Sequence, residues 1–316
     1  MSVFLAKRFL TFVATLLASS LVVFLVLEVL PGDPALVILG IDAQPEAVAA
    51  LHRQLGLDQP AMVRYFDWIA GLLTGDFGVS YTYGVPVEDL IVERLALTIP
   101  LAVIAMLLST AIAIGLGIYA ASHHNRLGDF GVMGFSQIGI AVPNFWFAIL
   151  LILLFAVHLR WFASGGFAGW EAGWWPALKS LILPAVALAT VQSAILARVT
   201  RSSVLEVLRE DFVRTARAKG LTRRATLWRH VLRNALIPML TIMGLQFANL
   251  LAGTIIVESV FYLPGLGRLV FQAITNRDLV VVKDVVVLLA AMVVFVNFIV
   301  DVLYAVVDPR LKAHDI

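Results

Sequence analysis

The sequence contains no cysteine, which excludes disulfides and cysteine-ligated metal but leaves the cellular compartment open. It is also poor in charge: 14% of its 316 residues are Asp, Glu, Lys or Arg, against 61% hydrophobic, a balance far from that of soluble domains. No Gly-x-x-x-x-Gly-Lys-Ser/Thr loop occurs, so the chain has no evident cradle for nucleotide phosphates and is not expected to hydrolyse ATP itself. A His-Glu-x-x-His pattern is missing, and the adjacent His123 and His124 cannot both face one ion from a regular helix. Gly-x-Ser-x-Gly is absent too. Without a nucleophile, a metal site or an acid–base pair, an intramembrane enzyme has little support. Internal repeats and low-complexity linkers are also lacking.

What the chain does have is long apolar runs. A hydrocarbon core of about 30 Å takes roughly 20 apolar residues of helix. Such runs lie at Phe9 to Leu27, Leu95 to Ala121, Phe130 to Val157, Ser180 to Ala197, Ala235 to Val257 and Val285 to Val307, the last interrupted by Asp301. The first follows Lys7 and Arg8, but its apolar part is long and ends in no small-residue cleavage site, so it is expected to remain as a span. The reading is an all-α integral membrane protein with six transmembrane helices. It divides into an N-terminal helix at 1–30, an external segment at 31–94, and a five-helix core at 95–316 that carries a cytoplasmic loop at 204–236.

Orientation follows from the basic flanks. Lys7, Arg8, Arg126, the basic residues after the fourth run, Arg310 and Lys312 belong on one side. The segment Pro31 to Arg94 is rich in Asp and Glu and belongs on the other. Both termini are therefore expected in the cytoplasm. The small positive charge then reflects topology, not a nucleic-acid partner. Asp301, the ionisable group deepest in a span, shares a helical face with Asn297 and Tyr304. Only about two turns separate it from Asp308, so an ion pair with a basic side chain is expected in preference to a proton relay. Trp161, Trp170, Trp174 and Trp175 suit an interfacial belt.

The feature that stands out is the basic insert from Glu206 to Pro238. Val204, Leu208, Phe212 and Ala216 recur at i+4 and predict one apolar face on a charged helix. Gly220 is expected to end that helix, and Thr222 to cap a second. The second helix would turn Leu221, Ala225, Trp228, Val231, Leu232 and Ala235 to one side, with Arg223, Arg224, Arg229 and Arg233 on the other. Amphipathic basic helices also lie on membranes, and these residues taken alone leave both readings open.

The run Phe212-Val-Arg-Thr-Ala-Arg-Ala-Lys-Gly220, followed by Ile237-Pro238, resembles the EAA loop of ABC importer permeases, with Thr215-Ala216-Arg217 where the founding motif has Glu-Ala-Ala. Further stretches resemble the dipeptide and oligopeptide branch. These are Leu30-Pro31-Gly32-Asp33-Pro34, Leu55-Gly56-Leu57-Asp58-x-Pro60, Gly71 to Ser80, Pro143-Asn144-Phe145-Trp146, Glu258 to Leu269, and Asp301-Val-Leu-Tyr304-x-x-x-Asp308-Pro309-Arg310. The chain departs from that pattern at Leu279-Val280 and Lys283-Asp284, in what reads as an outer loop.

The resemblance implies an ABC importer type I permease fold in a bacterial inner membrane. It implies a second homologous permease, making a heterodimer, together with two ATPase subunits that carry ATP and magnesium, an external solute-binding protein and a peptide-sized substrate. No cofactor or metal is expected in this chain. Thr215, Ala216, Arg217, Ala218, Lys219, Gly220, Leu221, Ala225 and Trp228 would meet the ATPase, and Thr226 falls in the same loop. Asp76, Glu258, Pro264, Gly265, Gly267 and Arg268 would form an external gate or meet the binding protein. The alternatives are the same architecture importing nickel or another small solute, and an ion-coupled secondary transporter, which needs an intramembrane relay or paired broken helices.

Overall fold

A computed structural model describes residues 2–29, 33–40 and 42–307. Of the sequence motifs, Leu30-Pro31-Gly32, Asp308-Pro309-Arg310 and Lys312 lie outside the described residues. Among the described residues thirteen α-helices follow in order: α1 (Ser2–Val29), α2 (Pro34–Leu39), α3 (Pro45–Gln54), α4 (Ala61–Thr74), α5 (Val87–Ser122), α6 (Leu127–Ala141), α7 (Asn144–Leu151), α8 (Trp174–Val207), α9 (Asp211–Ala218), α10 (Arg223–Thr226), α11 (Leu232–Val260), α12 (Leu266–Thr275) and α13 (Leu279–Val307). The only strand-like feature among the described residues is an antiparallel bridge between Val79 and Pro86. Five described helices are long and apolar enough to cross a membrane, and six if one bent pair counts as a span.

That pair is α6 with α7, which continues as a π-helical turn over Ile152–His158. The single span expected over Phe130 to Val157 is instead bent by 103°. Pro143 explains the break, because a proline ring pushes the preceding residue out of the α region, and Val142 is extended at φ −85°, ψ 123°. Pro100, Pro184 and Pro238 lie inside α5, α8 and α11 without ending them, as neighbouring groups in a membrane bundle can satisfy the freed carbonyls.

The chain forms two compact units. The first combines Ile99–Leu263 with the described parts of Met1–Arg8 and Phe295–Ile316. Its centre is α8, which packs on α6, α7 and α11 and buries Ala177, Leu181, Ala185, Leu188, Ala194 and Leu196 almost completely. Lipid is as apolar as leucine, so close packing by small residues drives such association. Gly117 of α5 is the tightest case, since a Cβ there would sit 2.5 Å from the Thr200 Cβ of α8. Asp301 meets Arg8, Nη1 to Oδ2 at 3.3 Å, in line with the expected ion pair. Trp161, Trp174 and Trp175 are well exposed, and Trp174 lies 5.4 Å from Trp170 between ring centres.

The second unit comprises Phe9–Thr98 and Pro264–Val294. One core joins Val87, Leu90 and Ile91 of α5 to Leu266, Leu269 and Val270 of α12 and Val281, Val282 and Val285 of α13. Another sets Phe24 of α1 against Tyr65 and Trp68 of α4. Buried carboxylates pin the acidic segment to this core. Asp278, with no exposed surface, accepts from the Ser80 hydroxyl at 2.6 Å and the Thr82 amide at 2.9 Å. Asp284, 1% exposed, accepts from Trp68 Nε1 at 2.6 Å. The region read as an outer loop around Leu279 to Asp284 is therefore the start of α13, six residues before the expected span. The valines that follow Asp278 continue the helix's apolar pattern, and the charged pair Lys283-Asp284 hid it.

Candidate functional site: a glycine elbow between two membrane helices

The charged insert is built in three steps. Helix α8 stops at Val207, the chain turns through Leu208 to Glu210, and α9 begins at Asp211. The turn corrects the expected apolar face. Phe212 is 42% exposed, whereas Val213 and Val204 are fully buried and Ala216 is 7% exposed. A continuous helix would have kept Phe212 in register with Val204, but the break shifts the buried position by one residue.

Gly220 follows with φ +89°, the left-handed conformation that glycine adopts without a Cβ penalty. Its amide donates to the Arg217 carbonyl at 2.9 Å, and that of Leu221 to Ala216 at 3.3 Å. A Cβ on Gly220 would meet nothing within 4 Å. The Thr222 hydroxyl then accepts from the Ala225 amide at 3.2 Å and caps α10, as its position in the sequence implies.

A π-helical turn at Leu227–Val231 joins α10 to α11. The extra residue in that turn rotates what precedes it. Val231, Leu232 and Ala235 are buried as expected, but Trp228 is 56% exposed and Thr226 is fully buried, its hydroxyl donating to the Thr222 carbonyl at 3.0 Å. Thr226 is thus not a surface residue of the loop. The buried face of the elbow, Val213 with Val231, Leu232 and Ala235, packs against Val204 of α8 and Ile118 and Ala121 of α5. Thr215, Arg217, Ala218, Lys219 and Gly220 are exposed, and Leu221 and Ala225 are half-buried. The elbow is a knob whose inner side packs on α5 and α8 and runs on into α11, and whose outer side is free in the chain.

An ion pair that the sequence does not announce stands on the same unit. Arg201 of α8 holds Asp129 in the first turn of α6 with two donors, Nε to Oδ1 at 2.5 Å and Nη2 to Oδ2 at 2.7 Å. The Asn125 amide adds a third at 3.0 Å. Arg201 Nη2 also lies 3.2 Å from His124 Nδ1. Asp129 is 2% exposed. The partners are 72 positions apart, so no periodicity points from one to the other.

The external residues fall in different places. Asp76 is exposed and accepts from the Gly78 amide at 2.9 Å, which shapes a turn. Glu258 is fully buried near the end of α11, where the Leu263 amide donates to its carbonyl at 2.8 Å. In the other unit Pro264 is exposed, Gly265 and Gly267 are buried and Arg268 is half-buried, all at the start of α12. The Leu266 amide there donates to the Thr98 hydroxyl at 2.9 Å.

Residues 113–313 match the family described as binding-protein-dependent transport system inner membrane component, and residues 1–102 match the N-terminal part of such membrane components. The chain belongs to this family. A peptide transport system permease protein of Brucella abortus is 42% identical over 315 residues, 99% of each chain. The dipeptide transport system permease protein DppB of Escherichia coli K12 is 38% identical over 333 residues, 98% of each. Among solved structures, a chain of the MetNI methionine ABC transporter in an inward-facing conformation superposes with a TM-score of 0.58 at 18% identity, covering 69% of this chain and 96% of that one. The fold is thus that of an ABC importer permease, and the protein is a multi-pass inner-membrane permease component.

Proposed function

We propose that this permease forms half of the pathway of an ATP-driven importer for peptides, paired with a second, related permease and served by two ATPase subunits and an external binding protein. Both termini and the elbow lie in the cytoplasm, and the segment from 31 to 94 lies outside. ATP and magnesium belong to the ATPases. Thr215 to Leu221, with Ala225 and Trp228, enter a cleft of one ATPase. Asp76, Glu258, Pro264, Gly265, Gly267 and Arg268 serve the external side as gate or binding-protein contact.

One observation carries the reading: the elbow exposes Phe212, Lys219, Gly220 and Trp228 while its inner side packs on α5 and α8 and runs on into α11. A push on its outer face is therefore delivered to three membrane helices at once. The substrate class rests on the relatives named for peptide and dipeptide transport, and on membrane helices that offer neutral groups such as Ser136, Gln192 and Gln246 with few fixed charges.

The test is ATP hydrolysis by the reconstituted complex. Binding protein loaded with short peptides is expected to raise the rate more than binding protein tested with nickel or a sugar. Stimulation by nickel or a non-peptide solute alone would overturn the peptide assignment and leave the importer architecture standing.

A further inference from the structure

Within the unit formed by Phe9–Thr98 and Pro264–Val294, a cavity of about 300 Å³ opens at the outer end of α1. Its apolar wall includes Phe24, Leu57 and Val280, and its polar wall holds Glu28, Asp33, His52, Arg64, Tyr81 and Lys283. The size is at the lower end of small-molecule sites.

The polar groups are unequally satisfied. Both carboxylates are engaged: Glu28 pairs with Arg64, and Asp33 meets His52 Nε2 at 2.7 Å and accepts from the Ala35 amide at 2.9 Å. The hydrogen bond with His52 holds the Asp33 carboxyl below its usual range, so this acid stays ionised and occupied. The donors are not used up. Among the described residues no hydrogen bond or salt bridge holds the Lys283 ammonium, which lies over the Trp68 ring at 4.6 Å from the centre with the carboxylates of Asp284 and Glu28 in its field. Arg64 Nε is buried without a partner. Among the described residues no hydrogen bond engages the Tyr81 hydroxyl, and burial pushes its pKa up and keeps it a donor. A cavity with spare donors beside an apolar wall, its two carboxylates each already engaged through one oxygen, is complementary to an anion that carries an apolar tail.

We propose that this cavity binds the C-terminal carboxylate of a short peptide between Lys283 and Tyr81, with an apolar side chain against Leu57 and Val280. The site belongs to the permease itself, apart from the binding protein, and rests on the peptide reading for its choice of ligand. It holds a released peptide on the outer face before passage.

The experiment is calorimetric titration of the purified complex in phosphatidylcholine nanodiscs, without binding protein, using alanyl-leucine and its C-terminal amide. Saturable binding of the free acid is expected, with affinity about tenfold weaker for Lys283→Met and for Tyr81→Phe, each of which removes one charge-assisted contact, and weaker still for the amide, which removes both. Unliganded melting of the Tyr81→Phe complex should match wild type, which separates lost binding from lost folding. Equal binding of acid and amide, or wild-type affinity in both variants, would overturn the site. So would loss of peptide binding when phosphatidylglycerol is added, because the anion held there would then be a lipid headgroup. Failure here with intact stimulation of ATP hydrolysis by peptide-loaded binding protein removes the cavity and spares the importer reading.

Discussion

Gly220→Leu is expected to abolish most ATP-driven uptake while the permease still inserts and assembles. At φ +89° a residue with a Cβ carries a strain of about 1–2 kcal/mol, which alone shifts a conformational equilibrium by about tenfold. The space around Gly220 is open within the chain, so nothing internal rejects the leucine side chain. It projects instead into whatever receives the knob. Gly220→Asn separates the two effects, because asparagine tolerates the left-handed region and is shorter. The leucine variant should therefore lose uptake while the complex continues to hydrolyse ATP, and the asparagine variant should keep an intermediate fraction. Wild-type uptake by the leucine variant would remove Gly220 from coupling.

The second large effect is on stability. In the Arg201–Asp129 pair the carboxylate side chain is 3% exposed and the guanidinium 21%, so the two deletions are unequal. Arg201→Ala strands a buried carboxylate and should cost about 3–5 kcal/mol. In Asp129→Ala the arginine can turn to water, and the cost falls to about 1–3 kcal/mol. The double variant should be more stable than Arg201→Ala alone, which makes the coupling larger than the Asp129→Ala loss, at least about 1–3 kcal/mol. Unfolding in mixed micelles measures all three. Additive losses would mean that the pair does not join α6 to α8 energetically.

The length and apolarity of the spans made the helical membrane architecture legible, and motif spacing made the elbow legible: Gly220 and Thr222 do what a glycine stop and a threonine cap do in any sequence. What failed to show was register across breaks. The turn at Leu208 to Glu210 exchanged Val213 for Phe212, and the π turn at Leu227–Val231 sent Trp228 outward. Single-residue slips of this kind leave composition unchanged, so periodicity does not report them. Long-range polar pairs were equally silent. Ser80 with Asp278 and Trp68 with Asp284 join residues about two hundred positions apart, and they explain how an acidic, glycine-rich segment is held against α12 and α13. The bend at Pro143, by contrast, was present in the sequence as a proline inside an apolar run, and a membrane helix can absorb a proline without bending, as α5, α8 and α11 do.

The most direct test of the account exploits the absence of native cysteine. Gln59→Cys and Lys219→Cys both fall on exposed residues and are probed with a membrane-impermeant maleimide in cells producing the complex with or without its ATPase subunits. The account predicts that Gln59→Cys labels in intact cells. Lys219→Cys should label only after the membrane is opened, and only when the ATPases are missing, because in the complex they cover the elbow. Labelling of Lys219→Cys from outside, or equal labelling with and without the ATPases, would contradict it.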